Sequence, residues 1–158
     1  AYDLSHGLWP MEHDPQGTGP SLAEMVQRFT RSSGMRIQFT EAKACATCPS
    51  ATATQLFRIA QEALANATKH SQASAIQVAF SCTACGDAVL SISDNGIGRA
   101  RAQRTNGGLG MGIMAHRARI IGGLLRVEDA PGGGTLVTCT APCDITAPRQ
   151  HSNKETCS

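Results

Sequence analysis

Aromatic residues are scarce in this chain, with one Trp, one Tyr and four Phe among 158 residues. A core must therefore be filled by Leu, Ile, Val, Met and Ala, without stacked rings. Charge of one sign is missing too. Fourteen basic and 12 acidic side chains leave a formal net charge of +2, with no long run of Lys or Arg. Binding to nucleic acid or a membrane surface by charge alone is not expected. No apolar run approaches the length of a membrane span, and no signal peptide heads the sequence. The chain starts at Ala1 in place of Met, which reads as a piece of a longer protein. Its length suits one domain with a buried core.

Cysteine is the opposite case, with seven in the chain. An odd number argues against a complete disulfide framework, and the remaining sequence reads as an intracellular enzyme. Four of the seven form the pairs Cys45-Ala-Thr-Cys48 and Cys82-Thr-Ala-Cys85. Such an array suits a tetrahedral structural Zn²⁺; the other reading is unliganded thiols or pairs that oxidise. Cys139 alternates along a strand and reads as packing, while Cys143 and Cys157 fall in the tail.

Residues 1–19 have no periodicity and read as a linker. Ser21 with Glu24 three positions later forms a capping box, and Leu22, Met25, Val26 and Phe29 then fall on one helical face up to Gly34. A short strand follows at 36–39, then a cysteine-bearing loop over 43–54, and a helix from about Thr54 to His70 burying Leu56, Ile59, Ala60, Ala63 and Ala67. Strands at 76–81 and 88–93 flank a hairpin turn. Residues 99–107 are a polar loop, and 111–121 a helix stopped by Gly122-Gly123. Two last strands, 124–128 and 135–141, join through Pro131-Gly-Gly-Gly134, and residues 143–158 form a disordered tail. The pattern predicts an α+β two-layer sandwich over residues 20–142, with a mixed five-stranded sheet and about three helices on one face. If the strands around 37–40 and 76–82 are parallel neighbours, both cysteine loops emerge at the same edge.

Arg58, Glu62, Asn66 and Lys69 or His70 recur every three or four residues and line one side of their helix. A solvated face looks the same. Against that, Asn is a mediocre helix former set here among alanines, and two companion motifs follow. Asp94-Asn-Gly96-Ile-Gly98 comes directly after a strand. It is either an ordinary turn or a carboxylate for an exocyclic amine such as adenine N6, with glycines admitting the base and ribose. Gly107-Gly108-Leu109-Gly110-Met111-Gly112 then sets unobstructed N–H groups at a helix N-terminus, where phosphate is favoured.

Taken in order, these three segments resemble the N, G1 and G2 boxes of the ATP-binding catalytic domain of sensor histidine kinases, in the GHKL ATPase superfamily. The nearer likeness is to the short-lid branch that includes the nitrate sensors. Gly132-Gly-Gly-Thr135 is similar to the family's closing Gly-Thr, and the resemblance spans roughly Ser21 to Pro142. It implies a Bergerat-type fold, and ATP and Mg²⁺ as ligands. Asn66 would ligate Mg²⁺ and Glu62 would orient water around it, the two being the catalytic pair. Lys69 and His70 would neutralise phosphate, and Asp94 would read adenine with Gly96, Ile97 and Gly98 beside it. Gly108, Leu109, Gly110, Met111 and Gly112 would surround the phosphates, and Thr135 would support Asp94. Residues 99–107 would form the ATP lid, which lacks the Phe of longer-lidded relatives.

The resemblance also implies partners: a histidine-bearing dimerisation domain of the same protein and a response regulator, with no nucleic acid and no direct membrane contact. It implies a cytoplasmic site, whether or not the parent is membrane-anchored. Leu4–Pro10 resembles the exit from a dimerisation helix, which makes His6 a linker residue; His116 reads as a surface helix position. His13-Asp14 imitates the phospho-accepting box, but Pro15, Gly17 and Pro20 keep it out of a helix interior. The fragment is thus expected to bind ATP without phosphorylating itself. Rival readings are an anti-sigma-factor-type serine kinase, a docking module with a degenerate nucleotide site, and a zinc-ribbon nucleic-acid binder, the last disfavoured by the near-neutral charge.

Overall fold

The computed structural model describes residues 17–43, 48–99 and 109–143. Its elements in chain order are α1 (Thr18–Ser33), β1 (Arg36–Glu41), α2 (Ser50–His70), β2 (Ala75–Cys82), β3 (Asp87–Asp94), α3 (Leu109–Ile120), β4 (Leu124–Asp129) and β5 (Thr135–Pro142). The strands make one sheet in the order β1-β2-β3-β5-β4. β1 runs parallel to β2, with Arg36 opposite Ala75, and every other pairing is antiparallel. The expected two-layer, mixed five-stranded architecture is the one observed.

The sheet's helix-facing side is read off its alternation. Ile76, Val78 and Phe80 of β2 are buried, as are Ala88, Leu90 and Ile92 of β3 and Val137, Cys139 and Ala141 of β5. The register sets them side by side: Val78 opposite Ile92, and Leu90 opposite Phe80 on one side and Cys139 on the other. Leu56, Ile59, Ala60, Ala63, Leu64 and Ala67 of α2 complete this core with Leu22, Met25, Val26 and Phe29 of α1. Burying each large aliphatic side chain contributes about 1.5–3 kcal/mol. With so few rings available, aliphatic groups fill this space almost alone.

Two helix starts differ from expectation. α1 begins at Thr18, so Ser21 lies inside the first turn and is no cap; its hydroxyl donates to the Gly17 carbonyl at 3.1 Å, and Glu24 pairs with Arg28. Pro20 is tolerated there because first-turn N–H groups have no intrahelical acceptor. α2 begins at Ser50, directly after Pro49, and so takes in residues expected to be loop. The stops agree with expectation. Gly34 ends α1 in the left-handed conformation, its N–H donating to Thr30 at 3.0 Å. Gly122 and Gly123 return N–H groups to Arg119 and Ala118. Residues 1–16 of the expected 1–19 linker, the tail from 144 onward, most of the lid, Cys45 and Gly108 lie outside the described residues, while Thr18 and Gly19, expected in the linker, start α1.

Candidate nucleotide site

Asp94 continues the Ala88-Leu90-Ile92 alternation of β3, so its carboxylate lies on the helix-facing side, 8% exposed. A carboxylate in an apolar row must find hydrogen bonds. Oδ1 accepts one from the Gly96 N–H at 2.8 Å and one from the Thr135 N–H at 3.3 Å. Thr135 thus meets Asp94 through its backbone, from the first residue of β5.

The turn after Asp94 is packed against two other segments. A Cβ on Gly96 would come within 2.7 Å of the Ser71 Cβ and nearer still to the Ser71 carbonyl oxygen, which accepts the Ile97 N–H at 2.7 Å. Asn95 clamps the other side: its Oδ1 accepts the N–H groups of Ser74 (2.9 Å) and Ala75 (3.0 Å), and its Nδ2 donates to the Ser74 hydroxyl. Gly134, at φ +88, brings its backbone onto that of Asp94 and Asn95. Gly98, at φ +80, lies near the Gly134 carbonyl and the Asp129 carboxylate. The guanidinium of Arg99 donates to the Val127 carbonyl at 2.7 Å. The turn is therefore fixed by the end of α2, the start of β2 and the β4–β5 connection together.

The polar side of α2 faces the N-terminus of α3. A Cβ on Gly110 would lie 2.5 Å from Glu62 Oε1 and 3.1 Å from Asn66 Nδ2. A side chain there would have to displace the ends of Glu62 and Asn66, so with glycine the helix start lies directly on a carboxylate and an amide one turn apart. Glu62, Asn66 and His70 are half-buried and Lys69 is exposed. Met111 packs against the core, Leu109 is 76% exposed, and Gly112 has open space where a Cβ would stand. Arg117 ties α3 to α2 by donating to Gln55 Oε1 at 3.1 Å.

The structure thus brings together Asp94, Gly96, Ile97, Gly98 and Thr135 at one end of the sheet, and Glu62, Asn66 and Gly110 where α2 meets α3. Ser71 was not foreseen as part of this site, while Asn95 and Gly134 fall inside motifs quoted from the sequence without a role of their own.

The cysteines depart from expectation. β1 and β2 are parallel neighbours, as the shared edge required. Yet Cys82 and Cys85 are each disulfide-bonded, so neither offers a thiolate to zinc. Cys48 is a free thiol, half-buried. Among the described residues no group of three or more His, Cys, Asp or Glu could hold a metal. Of the expected Cys45, Cys48, Cys82 and Cys85 zinc set, Cys45 lies outside the described residues, and the other three do not gather as a metal-holding group. Cys143, expected in a tail, is buried, 1% exposed. Cys139 is fully buried as a packing residue, its thiol pushed up to about 11 by desolvation.

Comparison with known proteins follows the same lines. The family model described as "Histidine kinase-, DNA gyrase B-, and HSP90-like ATPase" matches residues 51–145. The nitrate/nitrite sensor protein NarQ of Escherichia coli is 41% identical over 83 residues, 52% of this chain and 15% of that protein. The oxygen sensor histidine kinase NreB of Staphylococcus carnosus is 26% identical over 141 residues, 89% of this chain and 40% of that one. The chain therefore spans less than half the length of either relative. The histidine kinase domain of the Erythrobacter litoralis EL346 blue-light activated histidine kinase superposes with a TM-score of 0.68 at 21% identity, covering 80% of this chain and 61% of that one. At that identity the likeness establishes the fold.

Proposed function

This chain belongs to the histidine kinase-, DNA gyrase B- and HSP90-like ATPase family, and from that premise we propose that it is the ATP-binding catalytic domain of a two-component sensor histidine kinase. One observation carries the reading: Gly110 seats the start of α3 directly on the ends of Glu62 and Asn66, which a Cβ would push aside. A phosphate chain needs backbone N–H groups and a divalent cation side by side, and this contact supplies the frame for both.

In this reading Asp94 accepts the adenine amine. One of its oxygens is already held by the N–H groups of Gly96 and Thr135, and a carboxylate has further lone pairs to offer. Gly96, Ile97 and Gly98 line the base and ribose. Gly108, Leu109, Gly110, Met111 and Gly112 surround the phosphates, with Lys69 and His70 adding positive charge. Oxygen donors suit Mg²⁺, which takes few protein ligands beside phosphate and water. Asn66 would hold the ion through its amide oxygen, and Glu62 would orient a water beside it. When bound, Mg²⁺ neutralises the developing charge on the phosphates. The catalytic domain spans about 18–142, starting with α1, and is preceded by a linker and followed by a tail.

The acceptor of the γ-phosphoryl group is a histidine on a dimerisation domain of the same protein, from which it passes to an Asp of a response regulator. The domain works in the cytoplasm; no described helix is long and apolar enough to cross a membrane.

Titration of a fluorescent ATP analogue into the wild type, Asp94→Asn and Asn66→Asp tests the site. Each substitution keeps the side chain's size and is expected to weaken binding about tenfold or more, roughly 1.4 kcal/mol. Equal affinity of all three proteins would overturn the assignment. Adding a purified dimerisation domain and radiolabelled ATP then tests the kinase reading: its histidine should become labelled by the wild type and not by Asn66→Asp.

A further inference from the structure

The two ends of the sheet carry different chemistry. Asp94, Thr135 and the end of α2 lie at one end. At the other, the backbone after β1 continues beside β2, Ala42 donating to the Phe80 carbonyl at 3.2 Å and the Lys43 carbonyl accepting the Cys82 N–H at 2.9 Å. The hairpin after Cys82 is closed by Thr83, whose N–H donates to Asp87 at 2.8 Å, and by the Gly86 N–H to Thr83 at 3.1 Å. The exit of β5 lies on that hairpin, since the Cys143 N–H donates to the Gly86 carbonyl at 2.8 Å. Cys48 lies two residues before α2 and packs against the core. The hairpin cysteines and Cys143 therefore lie at the end of the sheet away from Asp94.

We propose that Cys82 and Cys85 are a reversible thiol–disulfide site, in place of half a zinc site. Both sulfurs are oxidised in the structure, the residue Cys85 is exposed and Cys82 half-buried, and the described residues gather no metal-holding set. Thiols elsewhere differ: Cys139 is fully buried and Cys48 is reduced. The co-reactant is a low-molecular-weight thiol of the glutathione class. Its thiolate attacks the Cys85 sulfur, forming a mixed disulfide, and the sulfur formerly bonded to Cys85 leaves as a thiolate and takes up a proton. A second small thiol attacks the mixed disulfide, releasing the Cys85 thiol and a small-molecule disulfide. Two electrons pass from the two small thiols to the protein, and reoxidation by the small disulfide runs the same steps backwards. The same exchange serves the Cys82 disulfide. Oxidation ties the hairpin down and restricts the unfolded chain.

The full chain, purified without reductant, is equilibrated in buffers of varied glutathione to glutathione disulfide ratio, denatured, alkylated with iodoacetamide and mapped by mass spectrometry. Cys82 and Cys85 should be protected in oxidising buffers, labelled in reducing ones, and protected again on reoxidation. The reduced protein should melt about 5 °C or more below the oxidised one. A double Cys82→Ser, Cys85→Ser variant should keep the wild-type circular dichroism and lose the redox dependence of melting contributed by this pair. Full labelling of both cysteines in every buffer would overturn the proposal. So would about one zinc per chain, found by elemental analysis of the dialysed reduced protein and blocking reoxidation. Binding of the fluorescent ATP analogue should be the same in both redox states, so this site and the nucleotide site fail or stand separately.

Discussion

Gly134 rests so closely on Asp94 that no β-carbon could be added to it: the new atom would overlap the Asp94 carbonyl and come within 2.9 Å of the Asn95 Cα. The residue also adopts φ +88, which side chains resist. A backbone contact 40 residues apart along the chain thus holds the carboxylate that the adenine reading depends on.

Gly134→Ala should therefore destabilise the fold and remove nucleotide binding together. Left-handed strain and backbone overlap sum to about 2–4 kcal/mol. Urea unfolding measures the first effect; an unchanged midpoint would mean the turn re-forms around the methyl group.

Gly110→Ala separates site from fold. The added methyl meets the far end of the Glu62 side chain, which can swing away, and Ala favours a helix by about 1 kcal/mol over Gly. Stability should stay within about 1 kcal/mol of the wild type. ATP-analogue affinity should drop about tenfold, because Glu62 and Asn66 are pushed from their places.

Asn95→Ala removes a side chain that holds two N–H groups and one hydroxyl at the start of β2. A loss of about 1–2 kcal/mol follows from these groups turning to water or staying unpaired. The cross-over Asn95→Asp keeps the acceptor and should recover part of that loss in the same urea titration.

Cys139 gives a pH effect with a definite sign. Its folded pKa, raised by desolvation from 9.0 to about 11, means the folded state keeps a proton that the unfolded chain gives up. Its stabilising contribution is complete below pH 9 and is lost as pH climbs from 9 to about 11. Cys139→Ala should flatten that alkaline decline in thermal melts, and the native thiol should resist iodoacetamide at pH 8 until the protein unfolds.

The sheet, its helix-facing side and the helix stops were legible because each rests on local periodicity or on a glycine at the stop. Ile76-Val78-Phe80 and Ala88-Leu90-Ile92 alternate without interruption, and their burial follows. Ser21 and Glu24 made a plausible cap that the fold does not use, since Pro20 suits a first turn as well as a linker. The start of α2 was hidden behind Pro49 and a cysteine-rich stretch. The positions of Asp94 and Asn66 could be read from motifs, whereas Ser71 and Gly134 act by backbone approach, and Asn95 by side-chain hydrogen bonds, between segments far apart in sequence. No local pattern encodes that. The expected parallel pairing of β1 and β2 is the one observed, but cysteine spacing alone does not distinguish thiolates awaiting a metal from sulfurs in disulfides.

The Thr135 amide that holds Asp94 belongs to the last strand of the sheet, and β5 lies between β3 and β4. During synthesis the chain cannot finish its cleft until residues through Pro142 have left the ribosome. Occupancy by nucleotide would thus report that β5 has joined the sheet, and a nascent or truncated form ending before β5 would be silent.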